Sequence, residues 1–168
     1  MMIQFGNDYY DLFESDELLA LANYHFDKQD YIIALPILKR LVMAEMAPVG
    51  TFSTLGRVYA VLGLFERAMV AFRTYLEIRP EAVAERFEIS LLHRELGQDE
   101  DAVKIWDKLL QEKPDFAPVL YAKAQYAKEM NLEDEAIDLL TQLIEQCSDD
   151  EQYVDLANQT LAEISMSY

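Results

Sequence analysis

Apolar residues recur along the chain at helical intervals. Ala34, Ile37, Leu38, Leu41 and Val42 fall at i, i+3, i+4, i+7 and i+8, and Ala136, Leu139, Leu140, Leu143 and Ile144 repeat the spacing. Each set forms a stripe down one side of an α-helix. A second kind of helix, lying upstream, shows in Phe52, Leu55, Gly56 and Tyr59 at i, i+3, i+4 and i+7. Turn signals separate the two kinds: Lys28-Gln29-Asp30, Leu62-Gly63-Leu64, Leu96-Gly97-Gln98 and Met130-Asn131-Leu132. Gly63, Gly97 and Asn131 suit a residue of positive φ at a helix C-terminus. Pro80 and Pro114 are placed to end the second helices, because proline cannot continue the hydrogen-bond ladder.

The pattern has a fixed period. Ala34, Ala68, Ala102 and Ala136 are 34 residues apart each time. Four positions after each alanine stands Leu38, Phe72, Trp106 or Leu140; seven after, Leu41, Tyr75, Leu109 or Leu143; eight after, Val42, Leu76, Leu110 or Ile144. Twelve before stands a small residue: Ala22, Gly56, Ser90 or Ala124. The repeating unit is therefore a helix–turn–helix hairpin, in which small columns let paired helices approach and large ones fill the space around them.

Phe52, Leu55, Gly56, Tyr59, Gly63, Ala68, Phe72 and Pro80 carry a resemblance to the tetratricopeptide repeat family, with Tyr75 oversized for its column. The resemblance implies an all-α, right-handed α-solenoid of about four repeats, over 15–48, 49–82, 83–116 and 117–150. Arg86 and Lys123 replace apolar residues of first helices, and Met46 and Ser148 stand where a terminal proline is usual. Pro36 falls near the start of its second helix, either in the first turn or at a kink. An array of hairpins has an open apolar edge at each end. Residues 151–168 are expected to supply a C-terminal capping helix through Val154, Ala157, Leu161 and Ile164. Residues 1–14, which include Ile3, Phe5, Tyr9, Tyr10, Leu12 and Phe13, are expected to cover the first hairpin.

Charge narrows the function. Of 168 residues, 31 are acidic and 14 basic, giving −17. Such a surface leaves little to neutralise phosphates, so nucleic acid is not an expected partner, and docking on anionic membranes is disfavoured. No apolar run approaches a membrane span and no signal peptide is evident, so the reading is a cytoplasmic protein without membrane insertion. At 52% apolar residues the chain can build a sizeable core.

Catalytic signals are weak. His25 and His93 share the column of Tyr59, two repeats apart, and read as packing residues. Asp99, Glu100 and Asp101 lack the oxygen spacing of a calcium loop and suit a helix N-terminus, as do Glu133, Asp134 and Glu135. Cys147 is the one cysteine, and neighbouring carboxylates would raise its pKa rather than activate it. Trp106 reads as core. No enzyme activity, cofactor or metal is expected.

In the resembled family, stacked first helices line a concave groove that holds a peptide. The register maps that groove to Leu19, Asn23 and Phe26; Arg57 and Val61; Phe87, Leu91 and Arg94; and Tyr121, Gln125 and Lys128. Family members that clamp acidic chaperone tails carry Lys, Arg and Asn at positions held here by Leu19, Asn23, Thr54, Ala84 and Glu88. Only Asn23 matches, so apolar anchors rather than a carboxylate clamp are expected. The implied function is an adaptor or chaperone that holds a segment of a client protein. The alternative is an assembly unit that forms homo-oligomers through its ends or its N-terminal segment.

Overall fold

The computed structural model describes residues 10–147 and 149–166. Among these residues there is no strand, only a short 3₁₀ turn, Tyr10–Leu12, and nine α-helices. They are α1 (Ser15–Asp27), α2 (Tyr31–Val42), α3 (Gly50–Val61), α4 (Phe65–Ile78), α5 (Val83–Glu95), α6 (Asp99–Glu112), α7 (Ala117–Glu129), α8 (Glu133–Gln146) and α9 (Glu151–Met166). Two compact units divide the chain after Leu96, the first with α1–α5 and the second with α6–α9.

In the first unit α1 pairs with α2 and α3 with α4, while α3 also lies against α1 and α2, and α5 against α4. In the second, α7 and α8 form a hairpin, α6 lies against α7, and α9 lies against α8 and α7. The repeating columns are the cores of both units. Ala34, Ala68, Ala102 and Ala136 are completely buried, as are Leu38, Phe72 and Leu140. Ala22, Gly56, Ser90 and Ala124 are buried too. A Cβ added at Gly56 would fall 2.8 Å from the ring of Phe72, so only glycine lets α3 and α4 come this close. Each large buried side chain contributes about 1.5–3 kcal/mol. The i+8 column lies at the stripe's margin: Val42 is exposed, and Leu76, Leu110 and Ile144 are half-buried.

The turns share one geometry. Gln29, Gly63, Gly97 and Asn131, again 34 apart, all have positive φ, at 61°, 69°, 70° and 58°. At the first turn the Gln29 amide donates to the Phe26 carbonyl and the Asp30 amide to the His25 carbonyl, both at 2.8 Å. Gly63 with Leu64, and Asn131 with Leu132, make the same pair of bonds. This is the Schellman closure, which satisfies carbonyls left open at a helix end. The sequence pattern singled out three of these residues, and the structure adds Gln29.

Pro36 is the sixth residue of α2, beyond the first turn, and the helix runs through it. Its ring nitrogen cannot bond the Ile32 carbonyl, but Ile32 is 89% exposed, where water can serve. Lys123, in place of an apolar residue, turns its ammonium to Asp107 of α6 at 2.7 Å. The apolar residues at positions 1–9 assigned to the N-terminal cap lie outside the described residues. Just after them the Asp11 carboxylate pairs with the Arg40 guanidinium of α2, while Leu12 stays exposed.

A residue other than glycine in the left-handed region costs about 1 kcal/mol or more. Replacing Gln29 by Gly is therefore expected to stabilise by about 0.5–1 kcal/mol, the gain reduced by the larger entropy of glycine in the unfolded chain. A thermal melt of Gln29→Gly that does not rise would overturn the account of this turn. Ala102→Leu, placing extra atoms at a fully buried position, should destabilise by about 1–3 kcal/mol in the same assay.

Candidate functional site

The candidate face is built by the first helices of the hairpins. On α3, Ser53, Thr54, Arg57 and Val61 turn away from the side that carries Phe52, Leu55 and Tyr59, as the helical period requires. In the first unit that face is cross-linked from helix to helix. The Thr54 hydroxyl donates to the Asn23 side-chain carbonyl of α1 at 2.7 Å, and the Ser53 hydroxyl to the Glu85 carboxylate of α5 at 2.7 Å. The Arg57 guanidinium lies 5.1 Å over the ring of Phe26, a cation–π contact. Phe26 also meets the Tyr31 ring at 5.7 Å. Leu19 packs beside the start of α3, its Cδ2 3.2 Å from where a Cβ on Gly50 would stand.

Between these links some apolar side chains remain open. Val61 is 55% exposed and Leu91 36%, whereas Phe87 and Arg94 are half-buried. Glu88 of α5 sits among Arg57 and Glu85. Burial pushes its carboxyl above the usual range, Arg57 pulls it back, and Glu85 pushes it up again. The structure thus gathers Asn23, Phe26 and Arg57 with Ser53 and Thr54, which the repeat register also turns to this face, and with Glu85, which it does not. Glu85 had no signal in the repeat register, because its role depends on reaching across to Ser53 of α3.

In the second unit the corresponding side chains turn to α9. The Tyr121 ring meets the Tyr153 ring edge-on at 5.8 Å. The Gln125 amide donates to the Thr160 hydroxyl oxygen at 3.2 Å, and the Lys128 ammonium bonds Glu163 at 2.8 Å. Thr160 is buried and gives its own hydrogen to the Leu156 carbonyl. Its oxygen therefore accepts from Gln125, and the Tyr121 hydroxyl, 3.4 Å away, is left as a donor. Lys128 holds the Glu163 carboxyl below its ordinary range. Ala157 and Ile164 of α9 join the core of α7 and α8.

The other chemical candidates fall into structural places. The His25 Nδ1 lies 3.6 Å from Asp30, and the ring meets Tyr24 edge-on. Asp99, Glu100 and Asp101 form the first turn of α6, and Glu133, Asp134 and Glu135 that of α8. The Cys147 thiol is buried and donates to the Asp115 carbonyl at 3.2 Å. Desolvation first, then Asp115 and Asp150, push it up. Among the described residues no group of three metal-ligating side chains is gathered, and no helix is long and apolar enough to cross a membrane.

No protein-family model and no curated protein matches the chain. Solved structures do. A thermophilic TPR protein from Thermus thermophilus superposes with a TM-score of 0.74 at 20% identity, covering 89% of this chain and 82% of its own. MamA from Desulfovibrio magneticus gives 0.68 at 15% identity, over 91% and 92%. A tetratricopeptide repeat protein from Parabacteroides merdae gives 0.64 at 19% identity, over 89% and 62%. The chain has the tetratricopeptide repeat fold.

Because the folded-state pKa of Glu88 is raised, the native state binds its proton more tightly than the unfolded chain does. This site's contribution is thus least favourable above that pKa and improves as pH falls through it. Glu88→Gln is expected to raise the melting midpoint at neutral pH and to lose that advantage toward pH 4, about the ordinary carboxyl range. A variant that melts equally below wild type at both pH values would overturn the sign.

Proposed function

We propose that the protein is an interaction module, an adaptor or chaperone rather than an enzyme, that holds a segment of a client protein on the face of α1, α3 and α5. The observation that carries this reading is the composition of that face: Val61 and Leu91 stay exposed on helices that the Thr54–Asn23 and Ser53–Glu85 hydrogen bonds tie together. A face braced by hydrogen bonds from helix to helix offers a rigid floor, and apolar anchors on it can supply most of the contact energy. Phe87 and Phe26 deepen the anchor set. Arg57 and Arg94 supply the positive charge that fixes the client's register, a contribution of about 0–1 kcal/mol for an exposed pair. Tyr121, Gln125 and Lys128 are assigned to seating α9, which acts as the cap of four repeats over 15–48, 49–82, 83–116 and 117–150.

The test is a pair of double variants read for client crosslinking and for thermal melting. Val61→Glu with Leu91→Glu should abolish crosslinking and leave the melt in place. Tyr121→Glu with Gln125→Ala should lower the melt of the second unit and leave crosslinking intact. Crosslinking that survives the first pair would move the client elsewhere. Wild-type affinity should fall little as salt rises, since charge is the minor part of the contact. Static light scattering that grows with concentration would favour self-association instead.

A further inference from the structure

A second surface lies on the other side of α3. There Phe52, Leu55 and Tyr59 face Glu66, Arg67, Val70, Ala71 and Thr74 of α4, and with Val42 at the end of α2 they line a cleft of ≈ 460 Å³. That volume is in the range of ordinary ligand sites. The two charged members stand on α4, and the Arg67 guanidinium is drawn over the Tyr59 ring at 6.0 Å. Val70 is 64% exposed and Val42 36%.

The apolar character of this cleft departs from the chain's own repeat. The column of Val70 holds Pro36, Lys104 and Asp138 in the other units, and the column of Thr74 holds Arg40, Lys108 and Gln142. Three of the units thus place mostly charged or amide side chains where the second presents a valine and a threonine beside exposed apolar surface. The walls also have a shape. Phe52, Leu55 and Tyr59 form one helical stripe, and Glu66, Val70 and Thr74 another, each running about 10–12 Å at 1.5 Å per residue. Two parallel stripes of two turns match the i, i+3, i+7 anchors of a short helix.

Charge selects the occupant. Residues 1–96, which hold the cleft, carry 14 acidic and nine basic side chains, a net −5. A cationic partner is drawn in by that field, and an acidic one is repelled. A second copy would bring the whole chain's −17 and is disfavoured for the same reason. We propose that this cleft docks a two-turn amphipathic helix of a partner protein, with apolar anchors on one side and Lys or Arg on the other. The site is separate from the face of α1, α3 and α5 and does not depend on it.

The experiment titrates the full chain into a labelled synthetic peptide of roughly 15 residues, long enough to form helix, with Leu at the anchor positions and Lys elsewhere. Fluorescence anisotropy is read at about 0.02 M salt, where the chain's field still reaches the peptide, and the scrambled peptide of equal charge accounts for attraction that is not specific to the cleft. The competitors are a scrambled peptide of equal charge and the same helix with Glu in place of Lys. Val70→Asp with Thr74→Lys introduces residue types that already stand in these columns at Asp138 and Lys108, so the melt is expected to hold. Should it fall, Val70→Lys alone is read the same way. The expected result is binding by wild type, weakened about tenfold or more by the cleft variant, with the scrambled and acidic peptides at least as much weaker. Val61→Glu with Leu91→Glu, on the other face, should leave this binding unchanged, which separates failure here from failure of the proposed function. Equal binding by the cleft variant or by either competitor overturns the proposal. So does a wild-type dimer in sedimentation that the cleft variant abolishes, because the occupant would then be a second copy.

Discussion

Two helices of a hairpin can approach only as near as the side chains on their facing stripes allow. In this chain the limit is set by one column of small residues in the first helix of each pair. Gly56 shows how tight it is: the Phe72 ring occupies the space its Cβ would need. Once the backbones are that close, the large column is forced into full burial, and the polypeptide must reverse in three residues to start the second helix. The left-handed turn residue follows from that demand. So does the ladder of contacts between successive first helices, because only a fixed hairpin can hold Thr54 opposite Asn23 or Arg57 over Phe26.

The same constraint explains how much of the molecule the sequence made legible. Columns that face a partner inside the hairpin were readable, since burial on both sides narrows each position to one size of side chain, and Ala34, Ala68, Ala102 and Ala136 carry the period without exception. Gln29 was not readable as a left-handed residue. Its side chain is compatible with many conformations, and only its place in the column of Gly63 and Asn131 betrays it. Pro36 was legible as an irregularity but not as an interior position, because helix starts drift by a residue or two without changing the apolar stripe.

The binding face was legible in outline and not in detail. Repeat register gives the direction of a side chain, but it cannot say what stands opposite. Tyr121, Gln125 and Lys128 share the register of Leu19, Asn23 and Phe26, yet they meet α9, a helix outside the repeat that has no column of its own. Apolar spacing has the matching weakness. Phe52, Leu55 and Tyr59 read as core, and Leu55 and Tyr59 are indeed buried, but the period does not reveal that the space beside them is left open at Val42 and Val70.

Trp106 has a practical consequence of another kind. It is the one tryptophan in the chain, it belongs to the second unit, and its indole is buried 6.1 Å from the Tyr126 ring. Its emission is therefore a built-in optical label for α6–α9, while far-ultraviolet ellipticity sums over every helix. Comparing the two signals during denaturation asks whether both units melt as one cooperative block or in sequence, with no dye attached and no residue changed.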